Sequence, residues 1–149
     1  RTGLAPAYHT PDEDVYIPGR NIVLLGKAGV FCAVAGLNRL VIGTLDHNPF
    51  PDATPVFRST MAEALSLGLD HRVEIAAPYA RVGKAEVIGR GQRAGVRLEL
   101  TLSCMNARST GAGFPRHCGV CSKCRERHDA FVEAGVPDLT DYAVRDFTG

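Results

Sequence analysis

The longest apolar run in the chain, Ile22 to Leu45, is broken by Lys27, by Asn38-Arg39 and by glycines. A membrane span needs about 20 clean apolar residues, so this run divides instead into a helix and a strand. Asn21 is a natural N-cap, and the apolar residues after it carry a predicted helix to about Gly36, which suits a C-terminal stop. Gly26, Gly29 and Ala33 give that helix a stripe of small residues for close packing. Leu40-Val41-Ile42-Gly43 predicts a buried strand, its apolar run continuous as in a parallel sheet. The polar segment Asp46 to Asp52 follows at the strand's carboxyl end, where open α/β sheets place ligands. Ser59 or Thr60 is expected to cap a helix through Leu67, ended by Gly68. Val73-Glu74-Ile75 predicts a second strand, and a helix beginning near Lys84 and Glu86 runs to about Gly89. Leu98 to Leu102 alternates as a third extended piece, followed by a Gly-, Ser- and Pro-rich loop from Met105 to His117. Ser122 to Ala134 predicts a helix stopped by Gly135 and Pro137. Alternating strands and helices make this an α/β chain with a parallel sheet. Residues 1–15 are expected as a loop or linker, 16–102 as the core and 103–149 as a C-terminal region.

Composition narrows the partners. With 149 residues and 45% hydrophobic content, the chain can bury a real core. A formal net charge of +1 gives no electrostatic case for nucleic acid or a membrane surface. No secretory signal is legible, so a reducing, cytoplasmic compartment is expected.

The five cysteines then add chemistry. Cys118, Cys121 and Cys124 form two overlapping C-x-x-C units, and Cys104 stands upstream. Such a set makes a tetrahedral four-sulfur site for Zn²⁺, which accepts soft thiolates without a geometric demand of its own. A full thiolate shell leaves no open position, so this metal would brace the fold and would not activate water. The alternatives are two disulfides, a redox C-x-x-C pair or an iron–sulfur cluster, but three cysteines within seven residues suit a metal better than two strain-free bridges. His117 reads as a neighbour of the site, and Cys32 as a core residue.

Taken in order, several segments resemble the 7-cyano-7-deazaguanine synthase family of PP-loop ATP pyrophosphatases. They are Pro18-Gly19-Arg20-Asn21, Gly43-Thr44 with Asp46, Pro51-Asp52 and Phe57, Ala77-Pro78 with Lys84-Ala85-Glu86, and Ser103-Cys104. Cys118-Gly119-x-Cys121-x-x-Cys124-x-x-Arg127, Phe131 and Asp138-x-x-x-Tyr142 complete the set, which covers the chain from Tyr16 onward. Two departures stand out. The family's S-G-G-x-D-S phosphate loop has no counterpart here, so the chain matches the family's later part and is expected to bind ATP poorly alone. The family's usual Cys-Arg after Tyr-Pro-Asp is replaced by Ala53-Thr54, which removes a cation.

The resemblance implies a partial Rossmann-like fold with a zinc-binding helical subregion. It also implies conversion of 7-carboxy-7-deazaguanine and ammonia to a nitrile through adenylated intermediates, in queuosine biosynthesis. ATP and Mg²⁺ are then expected cofactors beside structural Zn²⁺. Lys84 and Arg20 become the candidate catalytic cations, with Asn21, Asp46 and Asp52 as candidate ligand contacts. The partners implied are the free deazapurine and ammonia, with either self-association or a second chain carrying the phosphate loop. Two other readings stay open: a zinc-braced, non-catalytic module of the same fold, and a related pyrophosphatase acting on another carboxylate, amide or tRNA.

Overall fold

Gly19, at φ 71°, turns the chain into α1 (Arg20–Ala35), and Gly36, at φ 66°, closes it by donating its N–H to Cys32 and Ala33 carbonyls. The expected N-cap is corrected here. Gly19 holds the cap position, and Asn21 lies inside the first turn with its side chain buried. These coordinates come from a computed structural model that describes residues 4–109, 111 and 113–147.

The chain divides into two compact units, Tyr16–Gly83 and a second drawn from Arg1–Val15 and Lys84–Gly149. In the first, β1 (Arg39–Val41) pairs in parallel with β2 (Glu74–Ala76), in the register Arg39↔Glu74, Leu40↔Ile75 and Val41↔Ala76. Parallel partners need a crossover, and α2 (Pro55–Leu69) provides it. That helix starts earlier than Ser59 or Thr60. Thr54 caps it by accepting the Phe57 N–H at 3.2 Å, with Pro55 in the first helical position. It ends not at Gly68 but at Asp70, which takes a left-handed φ of 47°.

The small-residue stripe of α1 sets its distance from α2. A methyl on Gly29 would lie 2.8 Å from a Leu65 methyl, and Gly26 faces Met61. Leu25 and Cys32 are buried on that inner side, while Val23, Phe31 and Val34 leave the outer side apolar and exposed. The expectation of a buried β1 is not met: Val41 is 66% exposed, because no described element lies over it.

In the second unit, α3 (Lys84–Arg93) and α4 (Ser122–Ala134) close around Ile88, Ala130 and Phe131, with Leu98 and Val136 at the margin. Gly135, at φ 63°, ends α4 as its sequence suggests. Leu98–Leu100 is a 3-10 turn rather than an extended piece. Leu98 O accepts from Thr101 N–H at 3.0 Å within the turn and from the distant Arg127 guanidinium at 2.7 Å, so no strand partner can use it. At the other end of the chain, Ala7 bridges to Cys121 and Asp12 receives the Lys123 ammonium at 2.6 Å. Among the described residues no helix is long and apolar enough to cross a membrane.

Candidate functional site

Cys121 sits at the N-cap of α4, Cys124 lies in its first turn, and the turn before the helix supplies Cys118. A helix N-terminus favours thiolate over thiol. Cys104 comes from the segment after the Leu98–Leu100 turn, and the four Sγ atoms lie within 4.8 Å of one another. Tetrahedral bonds of ~2.3 Å place sulfurs about 3.8 Å apart. The Cys118–Cys124 and Cys121–Cys124 separations are 3.9 and 3.6 Å, close to that spacing, so the set could hold such an ion.

Backbone amides support the sulfurs. Asn106 and Cys118 N–H groups donate to Cys104 Sγ at 3.2 and 3.3 Å. Burial pushes the Cys104 and Cys124 thiols up, so a metal entering here must displace protons. Burial also opposes ionisation at Cys121. There the Met105 and Cys124 N–H groups and the neighbouring thiols outweigh it, and the group titrates below its ordinary value.

Beside the sulfurs stands His117, buried and edge-on to Tyr142 at 5.6 Å. Its Nε2 accepts the Ser103 N–H at 3.2 Å, and burial followed by the Arg127 charge lowers its pKa. It is a neutral acceptor that fixes the loop near Cys104.

The other candidates fall in separate places. Asp52, 5% exposed, accepts the Asn21 backbone N–H on Oδ2 at 2.9 Å and the Asn21 amide on Oδ1 at 3.3 Å. It anchors the first turn of α1 from a distant loop. Arg20, the first residue of α1, is exposed with its guanidinium 5.9 Å from the Phe50 ring. Asp46 is half-exposed and bonds its own neighbour, accepting the His47 N–H at 2.9 Å with Nε2 at 3.3 Å. Lys84 opens α3 and pairs with Glu126 of α4 at 3.0 Å. The buried Thr44 hydroxyl, just past β1, has no hydrogen-bond partner among the described residues.

Residues 7–135 match the family described as "Queuosine biosynthesis protein QueC". A 7-cyano-7-deazaguanine synthase of Stenotrophomonas maltophilia (strain K279a) is 36% identical over 135 residues, 86% of this chain and 59% of that protein. The same-named protein of Nitrosococcus oceani is 38% identical over 134 residues, 85% of this chain and 58% of its own length. That of Ectopseudomonas mendocina (strain ymp) is 37% identical over 143 residues, covering 89% and 62%.

The chain belongs to the QueC family.

It spans about three fifths of the length of these relatives. For a QueC-family chain, the small parallel sheet and the cysteine cluster are the parts described here.

Two features escape a reading of sequence alone. Arg127 is 4% exposed and donates to Thr140, Thr101 and Ser103 hydroxyls and to Leu98 O, with no carboxylate among these acceptors. Only the i+3 step after Cys124 hints at it, by placing Arg127 on the buried side of α4. The N-terminal stretch supplies Ala7, Tyr8 and Asp12 to the α4 end, and nothing in its polar, proline-bearing composition announces this.

Proposed function

We propose that this chain is the C-terminal part of an ATP-dependent carbon–nitrogen ligase that makes 7-cyano-7-deazaguanine from 7-carboxy-7-deazaguanine and ammonia. The observation that carries the reading is membership of the QueC family together with a four-cysteine cluster of metal-ready dimensions. The carboxylate attacks the α-phosphorus of ATP, expelling pyrophosphate. Ammonia then displaces AMP to give the amide. A second ATP activates the amide oxygen, and loss of AMP with a proton leaves the nitrile. Charge builds on phosphate oxygens twice, so fixed cations are required.

In this reading the cysteines hold a structural Zn²⁺, and the partial sheet belongs to a Rossmann-like PP-loop fold. Asp46 is the carboxylate accessible to Mg²⁺. Asp52 does not fit that role, since both its oxygens are engaged by Asn21 and it is buried. The Thr44 hydroxyl supports a ligand seat at the carboxyl end of β1. Arg20 has no carboxylate partner among the described residues and suits a phosphate, whereas Lys84 would first have to leave Glu126. The phosphate loop comes from sequence outside this chain, and the protein works in the cytoplasm either as a homo-oligomer or with a partner chain that carries that loop.

The test supplies ATP, Mg²⁺, ammonium and 7-carboxy-7-deazaguanine to the protein, alone and with the relatives' N-terminal part added, and follows products by mass spectrometry. Nitrile with AMP and pyrophosphate in the complemented reaction is the expected result. Neither amide nor nitrile in any combination would overturn the reading.

A further inference from the structure

Beyond β1 and β2, in the Tyr16–Gly83 unit, lies a cavity of about 480 Å³ whose walls include Asp46, His47, Thr54, Pro55, Arg58 and Arg81. Its volume is in the range of small-molecule sites. Asp46 is its carboxylate, and that charge is already met by the His47 imidazole and backbone N–H. The two guanidiniums are not met in this way. Arg58 is half-buried, and its guanidinium donates to the Ala53 carbonyl at 2.5 Å. Arg81 is exposed, and neither arginine has an ion-pair partner among the described residues.

The backbones carrying them are fixed. Arg58 lies in the second turn of α2, behind the Thr54 cap. Arg81 sits in a tight turn closed by Val82 N–H to Tyr79 O at 2.9 Å, and Val82 O accepts the Asp46 N–H at 3.2 Å. Elsewhere in the chain the arginines at positions 39, 90, 97 and 116 hold carboxylates. Two arginines without one line the same cavity, where the one carboxylate is already engaged by His47.

We propose that Arg58 and Arg81 form a binding site for the oxyanion group of a small ligand, a carboxylate or a phosphate. The guanidinium fork matches both groups in a bidentate fashion, and a lysine pair would not. The site does not depend on the proposed reaction, although that reaction offers both sources: the carboxylate of the deazapurine and the pyrophosphate leaving group.

Calorimetric titration of the purified protein separates the sources and tests the site. The probes are pyrophosphate, 7-carboxy-7-deazaguanine and its uncharged carboxamide. The variants are Arg58→Gln and Arg81→Gln, with Arg97→Gln as a control of equal charge in the other unit. Each of the first two is expected to weaken the bound anion about tenfold or more, as losing a charged hydrogen-bond donor does, while Arg97→Gln leaves it unchanged. A loss for pyrophosphate alone identifies a phosphate seat. A loss for the carboxylate but not the carboxamide identifies a carboxylate seat. Arg58→Lys, which keeps charge but not the fork, should recover only part of the affinity. No binding of either anion, or equal weakening by Arg97→Gln, overturns the proposal. A silent deazapurine arm beside a sensitive pyrophosphate arm would count against the substrate reading and not against the site.

Discussion

Gly119 is the most demanding position in the loop that carries the cysteine cluster. It lies between two cysteines of the cluster at φ 81°, and a methyl built on it would fall 2.8 Å from the Val144 carbonyl carbon and closer still to its oxygen. The tail segment holding that carbonyl is tied down by Val144 N–H to Cys118 O at 3.3 Å and Ala143 N–H to His117 O at 2.8 Å. Gly119→Ala must therefore push the tail away. The left-handed backbone costs an L-residue about 1 kcal/mol, and the two hydrogen bonds at stake contribute about 1 kcal/mol each. The total of about 3 kcal/mol corresponds to a fall in Tm of roughly 6–12 °C for a chain of this size. Gly135→Ala is the matched control, since Gly135 also has a positive φ, of 63°, but nothing lies within 4 Å of its added methyl. It should lose only the backbone part, about 2–4 °C. Thermal denaturation of zinc-saturated protein, with chelator competition for metal affinity, reads both variants. If the two melt together, the steric argument for Gly119 is wrong.

Further outcomes follow from the same geometry. Cys121→Ser should abolish zinc retention, measured by elemental analysis, and unfold the Lys84–Gly149 part by circular dichroism; a folded, zinc-free variant would refute a structural metal. Asp52→Ala strands the Asn21 helix N–H and leaves the buried Asn21 amide only the Asp52 main-chain carbonyl, and should cost about 1–2 kcal/mol in urea unfolding. Arg127→Lys should lose about 3 kcal/mol, because one ammonium cannot span four acceptors set for a planar fork. The Asp12 carboxyl is held below its usual range, first by its bond from Lys123. Its contribution is thus present at neutral pH and fades as acid protonates it. Asp12→Asn should lower Tm slightly at pH 7, by a fraction of a kcal/mol at this half-exposed site, and the gap should close towards pH 3.

The clustering of the four cysteines could be read from sequence because it is a short-range matter: three sulfurs within one turn and a helix start leave little choice of arrangement. Glycine stops were equally plain at Gly36 and Gly135, where the backbone itself needs the left-handed region. What failed was decided at long range. Asn21 looked like a cap, but Gly19 already turns the chain and Asp52, 31 residues away, satisfies the helix amide. Leu98 to Leu102 alternates like a strand, yet the Arg127 guanidinium claims the carbonyl a neighbour would need. Thr54-Pro55 is a strong helix start, and the hydroxyls at Ser59 and Thr60 lie inside the helix it opens. The apolar continuity of Leu40 to Gly43 spoke of burial on both faces, whereas the described sheet has two strands and leaves Val41 open.

The bridge from Ala7 to Cys121 and the bond from Lys123 to Asp12 make the metal-binding part discontinuous in sequence, its partners 111 residues apart in the second case. A ribosome adding ~5–20 residues per second needs about 5 to 20 s to cover that interval. The Tyr16–Gly83 stretch, with its contacts close in sequence, emerges whole during the wait and can reach its own packing first. Ala7 and Asp12 are made long before the helix end that meets them, and Cys104 leaves the tunnel ahead of its three companions. Any metal taken up by the four sulfurs is thus captured late in synthesis, after the Tyr16–Gly83 stretch is complete.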